Sequence, residues 1–165
     1  MAGFDHRHNT PPPYLTPSPT FAISSLGNVY KDLKYHEKAR ILLEESLTFY
    51  QKTYGEDHIE TARVLNNLGQ VYLLEGRQNA SERFMKRALA IFQYRKHPES
   101  YKALESLADL YLKRSVQEKM GQSQGFKKQA IDSLKKALEI VKNHFPDDSS
   151  HTVRIQSRLE KLEGT

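Results

Sequence analysis

The sequence predicts an all-α fold in which antiparallel helical hairpins stack side by side and end in a C-terminal capping helix. The first observation is a repeated motif: Leu-Gly-Asn-Val-Tyr at residues 26–30 recurs as Leu-Gly-Gln-Val-Tyr at residues 68–72, 42 positions later. A third version, Leu-Ala-Asp-Leu-Tyr, occupies residues 107–111, another 39 positions on. The second observation is that an amphipathic segment follows each motif after a turn. Self-similarity with periods of about 20 to 50 residues indicates stacked repeats.

The first element, residues 1–17, is predicted to be a flexible, proline-rich arm. Four prolines, at positions 11, 12, 13 and 17, occur there without any helical period. A helix is expected to start at Pro19, because the side chain of Ser18 can cap free amides and proline at the first helical position loses no needed donor. Residues 18–165 are then predicted to form a single repeat domain.

Three hairpins follow the arm, and the sequence places them at about residues 19–60, 61–99 and 100–150. Their second helices carry a small residue at matching positions, which lets two helices approach closely; these residues are Ser46, Ala88 and Ala137. The third hairpin contains about ten additional residues near its turn, within Ser115–Gly125, rich in Gln, Ser and Gly. This insert is expected to be a mobile turn or a modest helix extension away from the binding surface.

Residues 151–163 are predicted to form the capping helix. Apolar residues recur there at roughly helical spacing, with basic residues between them. The last helix of a repeat stack needs one polar face, since the end of the stack is otherwise exposed. The prediction is therefore seven helices, three hairpins and a cap.

Composition excludes several classes of function. The chain of 165 residues contains no cysteine, which excludes disulfides, thiolate metal sites and thiol nucleophiles. No apolar run is long enough to span a bilayer and no signal-peptide pattern is present, so no membrane association is expected and a cytoplasmic location is predicted. The net charge of +5 comes from lysines and arginines interleaved with glutamates, a pattern typical of solvated helices that does not favour nucleic-acid binding.

No residue pattern indicates catalysis, a metal site or a cofactor. The sequence lacks a nucleophile-elbow motif, a glycine-rich phosphate loop and a paired-carboxylate motif. The seven histidines are scattered, mostly at predicted turns. The chain is therefore predicted to be non-enzymatic.

The repeated pattern of leucine, a small residue and tyrosine, with small residues in the following helix, resembles the tetratricopeptide repeat (TPR) family over roughly residues 20–163. Tyr-Gly-Glu-Asp-His at residues 54–58, followed by Leu-Asn-Asn-Leu at residues 65–68, is similar to its kinesin-light-chain-like, long-repeat branch. The resemblance implies a right-handed superhelix whose first helices line a concave groove. It also implies an adaptor or scaffold that binds a protein or peptide there.

Helical geometry then predicts which side chains face the groove. If Leu26, Val29 and Tyr30 are turned inward, the opposite faces of the first helices are mostly polar. The predicted groove residues are Asn28, Arg63, Asn66, Asn67, Gln70, Lys102, Glu105, Asp109 and Arg154.

Two kinds of contact are expected from this set. Side-chain amides both donate and accept hydrogen bonds, which suits the backbone of an extended peptide of any sequence. Arg63, Lys102 and Arg154 could pair with an acidic ligand or a terminal carboxylate, whereas Glu105 and Asp109 disfavour a uniformly acidic one.

The alternative function is a structural or self-association module of a larger parent protein, with no free-peptide groove. Self-association could use the open end of the stack, or the N-terminal arm could dock in a groove. An adaptor should be monomeric with an open groove, whereas a structural module should self-associate or expose an apolar end.

Overall fold

A computed structural model describes residues 19–117 and 120–164, so the predicted arm at residues 1–17 lies outside the described residues. Within them the backbone forms seven α-helices and no β-strand. The prediction of an all-α stack is confirmed. The helices are α1 (Pro19–Asp32), α2 (His36–Tyr54), α3 (Ile59–Leu74), α4 (Gln78–Tyr94), α5 (Ser100–Gln117), α6 (Met120–His144) and α7 (Ser150–Glu163).

Each helix packs mainly against its neighbours in the chain. The helices α1 and α2, α3 and α4, and α5 and α6 form the hairpins; α2 packs on α3, α4 on α5, and α6 on α7. The first helices also touch one another, α1 with α3 and α3 with α5. The first helices therefore lie side by side, and residues of equivalent repeat positions come together on one surface.

Close helix contacts require the small residues that the sequence repeats. Ser46, Ala88 and Ala137 are fully buried, as predicted for contact positions. Gly69 on α3 shows how close the packing is: a Cβ atom there would lie 2.6 Å from Cγ of Met85 and 3.2 Å from the carbonyl oxygen of Ser81 on α4. This glycine is therefore required by the approach of two helices and not by a turn.

The apolar face of α1 corrects one prediction. Leu26 and Val29 were expected to turn inward, but they are 45% and 51% exposed, whereas the equivalent Leu68 and Val71 on α3 are fully buried. The physical reason is position in the stack, since α2 covers that face of α3. In the described part of the chain no helix precedes α1 to do the same.

Turn residues cap α3 and α7 with their side chains, whereas the residues before α2 and α4 make no side-chain capping bond. The backbone N–H of Glu60 donates to Nδ1 of His58 at 3.2 Å, which caps α3. Ser149 caps α7 by accepting from the N–H of Thr152 at 3.2 Å. Histidine at an inter-repeat turn thus has a structural use.

The insert of the third hairpin lengthens its helices. The α6 helix has 25 residues, compared with 19 in α2 and 17 in α4, and Val116 near the end of α5 is strongly exposed. Side-chain amides of Gln78 and Gln117 are hydrogen-bonded, so the extended α5 also contacts the start of α4.

Candidate functional site

A polar cavity of about 470 Å³ lies along the first helices and the capping helix. Eight of the nine predicted groove residues line it: Asn28, Asn66, Asn67, Gln70, Lys102, Glu105, Asp109 and Arg154. The remaining lining residues are Lys31, Tyr101, Ser106, His151 and Arg158. The ninth predicted residue, Arg63, is not part of the lining and is paired with Glu60 and Glu99.

Helical spacing explains why these side chains share a surface. Residues four positions apart lie on the same face of a helix. Asn66 and Gln70 are such a pair on α3, and Glu105 and Asp109 occupy the equivalent positions on α5. Because the repeats stack in register, the polar faces of successive first helices join into one lining.

Two of the residues that line this cavity carry a buried amide oxygen with no hydrogen-bond partner. Oδ1 of Asn28 and Oδ1 of Asn66 are both buried and unpaired within the described part of the chain. Asn66 is only 5% exposed. Leaving a buried acceptor unsatisfied costs about 1–3 kcal/mol, so such an atom indicates a missing donor. The two asparagines are on adjacent first helices, α1 and α3.

A hydrogen-bonded chain crosses the three first helices beside these asparagines. Nζ of Lys31 donates to Oε1 of Gln70 at 2.7 Å, and Nε2 of Gln70 donates to Oγ of Ser106 at 2.9 Å. Gln70 therefore uses both ends of its amide within the protein and holds a fixed orientation. Burial lowers the pKa of Lys31, against the raising effect of nearby Asp32.

At the C-terminal end of the cavity, two arginines of α7 engage two carboxylates of α5. Arg154 donates to both oxygens of Glu105, from Nε at 3.2 Å and from Nη2 at 2.7 Å. Arg158 donates to Glu105 and to Asp109. The bond to Glu105 raises the pKa of Arg154, despite some burial. These ion pairs join the capping helix to the third hairpin.

The other two cations of the predicted set are paired as well. Arg63 contacts Glu60 and Glu99, and Lys102 contacts Glu99. Burial alone would raise the pKa of Glu99, but the bonds from Lys102 and Arg63 together hold it below its usual value. A ligand carboxylate would have to displace one of these internal partners. Counting residues beside the lining as well as those in it, five described cations pair with five carboxylates, and they are Lys31, Arg63, Lys102, Arg154 and Arg158 with Asp32, Glu60, Glu99, Glu105 and Asp109. Arg63, Asp32, Glu60 and Glu99 flank the cavity and do not line it.

Sequence reasoning missed an aromatic cluster at the same end. The hydroxyl of Tyr101 lies 3.3 Å from Nδ1 of His151, and the ring of Phe145 packs edge-on against Tyr101 with centroids 5.9 Å apart. Tyr101 and His151 are 50 positions apart in the chain and belong to no repeated motif, so no local signal links them.

A second, smaller cavity of about 330 Å³ adjoins the first. The two share Lys31, Gln70, Ser106 and Asp109, but the smaller one also includes three apolar residues, Leu73, Leu74 and Met85. The polar surface thus has an apolar recess beside it, large enough for one side chain.

Neither a metal site nor a membrane-spanning helix is present among the described residues. Across 19–117 and 120–164, no group of three His, Asp or Glu side chains is arranged to hold a metal ion. None of the helices described combines the length and apolar character needed to cross a bilayer.

Comparison with known proteins agrees with this architecture. Residues 20–93 match the family model of the tetratricopeptide repeat. No curated protein sequence matches the chain significantly. The resemblance to tetratricopeptide repeats is confirmed, and proteins with this repeat typically take part in protein–protein interactions.

Solved structures share the fold at low sequence identity. The nearly identical TPR-like repeats of a protein described as a kinesin light chain from Podospora anserina superpose with a TM-score of 0.70 at 18% identity, covering 90% of this chain and 67% of that one. BtubC (BKLC) from P. vanneervenii gives 0.57 at 16% identity, covering 88% and 63%. The N-terminal domain of stress-induced protein-1 from C. elegans gives 0.56 at 16% identity, covering 87% and 94%.

Proposed function

We propose that this tetratricopeptide-type array is a non-enzymatic adaptor that holds an extended peptide segment of a partner protein along the surface of α1, α3, α5 and α7. The proposal deepens the general role of such repeats in protein–protein interaction by naming the surface used. It rests on the two unpaired amide oxygens of Asn28 and Asn66.

The unpaired oxygens fit the backbone of an extended chain. An extended peptide presents N–H donors along its length, at intervals that do not depend on its sequence. Both oxygens are buried, so each side-chain amide would have to turn its oxygen towards the ligand; one N–H donor to Oδ1 of Asn28 and another to Oδ1 of Asn66 would then satisfy both atoms. The protein alone carries the cost of these unsatisfied groups, and binding would remove it.

Charge and shape narrow the class of ligand. Because each cation of the cavity lining is already paired with a carboxylate of the protein, a strongly acidic or strongly basic peptide gains little net attraction. The apolar recess formed by Leu73, Leu74 and Met85 suits one apolar side chain. The proposed ligand is therefore an extended, nearly neutral segment with an apolar anchor.

A counter-selected peptide screen tests this proposal. A random peptide library is selected on the full chain, and each recovered peptide is then measured against the double variant Asn28→Ala/Asn66→Leu. Peptides held by the asparagines should bind the variant at least tenfold more weakly, by fluorescence anisotropy. A matched control, Asn143→Ala on the exposed end of α6, should bind like the original chain.

Peptides that bind the double variant and the original chain equally would contradict the proposed surface. The adaptor role further assumes a cytoplasmic protein, which fractionation of cells producing the tagged chain tests. Recovery in a membrane or secreted fraction would contradict that assumption.

A further inference from the structure

The α1 helix presents an apolar stripe that lies beside the groove surface but is not part of it. Leu26, Val29 and Leu33 are 45%, 51% and 59% exposed, and Ala22 is exposed one turn earlier. The spacing of these four residues alternates four, three and four, the spacing of a helix–helix seam. No groove residue belongs to the stripe.

The repeats show that the equivalent positions on α3 and α5 are covered by the preceding helix. The equivalents of Ala22, Leu26 and Val29 are Val64, Leu68 and Val71 on α3 and Ala103, Leu107 and Leu110 on α5, all of them buried. Leu33 has polar counterparts, Glu75 and Arg114. The stripe on α3 packs against α2, and the one on α5 packs against α4. The α1 stripe is thus the continuation of an interface that occurs twice within the molecule, and in the described residues no helix covers it.

A second α1 helix has the chemistry to cover it. Residues 19–30 contain no charged side chain, and the first charge, Lys31, is directed to Gln70 in the groove. Two such stripes can therefore meet without burying or opposing charges. In an antiparallel pair, the exposed carboxylate of Asp32 lies near the partner's helix N-terminus, where negative charge is favoured.

The other end of the stack does not offer a comparable surface. The exposed side of α7 has Val153 among Arg154, Gln156, Glu160 and Lys161. Covering α1 with α7 of another copy would remove water from the charged side chains of Arg154 and Glu160 and place them against apolar ones. A head-to-tail filament is therefore disfavoured, and a closed head-to-head pair is favoured.

We propose that the protein forms a symmetric dimer in which the α1 stripes of two copies pack antiparallel about a two-fold axis. The seam is short, so the dimer is weak, with a dissociation constant on the order of 10–100 µM. The groove residues of α1 lie on a neighbouring face, so each copy keeps an accessible peptide-binding surface. A dimer departs from the expectation that an adaptor is monomeric, but the stripe and the peptide-binding surface lie on different faces of α1. Dimerisation therefore does not depend on the proposed peptide binding, and each can fail without the other.

Sedimentation equilibrium of the full chain between about 5 and 500 µM tests the dimer. The weight-average mass should rise from one to two chains across this range. Val29→Lys should keep the chain monomeric throughout, because it places a charge on the seam. Val153→Lys is the matched control: Val153 is 57% exposed at the other end of the stack, and its substitution should leave dimerisation unchanged.

Cross-linking gives an independent measurement, because the chain has no cysteine of its own. The single-cysteine variant Val29→Cys should form a disulfide-linked dimer under mild oxidation at 50 µM at least five times faster than Val153→Cys. Equal rates would contradict an α1–α1 contact.

Two results of sedimentation would overturn the proposal. One is a self-association that Val29→Lys does not weaken, which would place the contact elsewhere. The other is a monomer up to 500 µM. If that monomer also lost thermal stability on Val29→Lys, the stripe would be covered within the same chain by residues 1–18.

Discussion

Arg154 on α7 donates two hydrogen bonds to the carboxylate of Glu105 on α5, and the two residues are 49 positions apart in the chain. Glu105 is buried and also accepts a hydrogen bond from Arg158. One carboxylate therefore binds the capping helix to the third hairpin at the C-terminal end of the polar cavity. The same pairing removes Arg154 and Arg158 from the set of cations that are free to bind a ligand.

Replacing Glu105 should loosen the capping helix. Glu105→Gln keeps the shape of the side chain but removes the charge that two arginines share, so the free energy of unfolding should fall. The loss is limited to about 1–2 kcal/mol because Arg154 is half exposed and water screens its charge. Urea unfolding measures the loss, and hydrogen exchange should show it first in the amides of α7. Glu160→Gln, on the exposed side of α7, should change stability by less than about 0.5 kcal/mol. Unchanged exchange in α7 after Glu105→Gln would mean that Ile155 and Leu159 hold the cap alone.

Adding one methyl group at Gly69 should destabilise the fold. Alanine favours a helix over glycine, but a Cβ atom at Gly69 meets the backbone of α4 as well as Met85. Gly69→Ala is expected to lower the free energy of unfolding, measured by thermal unfolding, by about 1–3 kcal/mol, because the helices must move apart.

Gly125→Ala is the control, and its effect on stability should have the opposite sign. A Cβ there meets nothing within 4 Å, so stability should rise by about 0.5–1 kcal/mol. A gain at both positions would show that α3 and α4 can separate at little cost.

Asn66→Leu should separate stability from binding. Leucine removes a buried acceptor without a partner, so the melting temperature should rise or stay the same. Affinity for a groove-bound peptide should fall by about tenfold, since the peptide loses one acceptor. Calorimetry and fluorescence anisotropy measure the two effects. A fall in the melting temperature would indicate that Asn66 supports the fold and is not kept for a ligand.

Acid should unfold the protein partly through the ion pairs of Glu99 and Glu82. Burial acts to raise the pKa of each glutamate, but the cations bonded to it outweigh burial and lower the pKa. These cations are Lys102 and Arg63 for Glu99, and Lys86 and Arg114 for Glu82. Because the pKa is lower in the folded than in the unfolded protein, the ion pair contributes its full stability at pH values above the unfolded-state pKa, near 4.5. This contribution is lost as the pH falls through the pKa of the folded state.

Urea midpoints at pH 7, 5, 4 and 3 measure this dependence. They should change little from pH 7 to 5 and then decline. Glu99→Gln should lower the midpoint at pH 7 and make the decline below pH 4.5 shallower. Glu45→Gln, on the exposed face of α2, controls for the change in net charge. An identical decline in the Glu99→Gln variant would exclude Glu99 as a contributor.

The sequence alone determined the helices, the repeat and most of the residues that line the polar cavity. These features follow from local chemistry: apolar residues at helical spacing, small residues at fixed repeat positions, and turn residues between them. The recurring motif at residues 26–30, 68–72 and 107–111 set equivalent positions, and eight of nine residues predicted from them line one cavity.

Only the tertiary structure decided which of these residues have partners within the chain. Leu26 and Leu68 share a motif, yet Leu26 is exposed and Leu68 is buried, because α2 covers α3 whereas none of the described helices covers this face of α1. Arg154 and Glu105, like Tyr101 and His151, meet across about 50 positions. Such contacts depend on how whole helices pack, and packing distance and register are properties of the assembled stack that a local pattern does not encode.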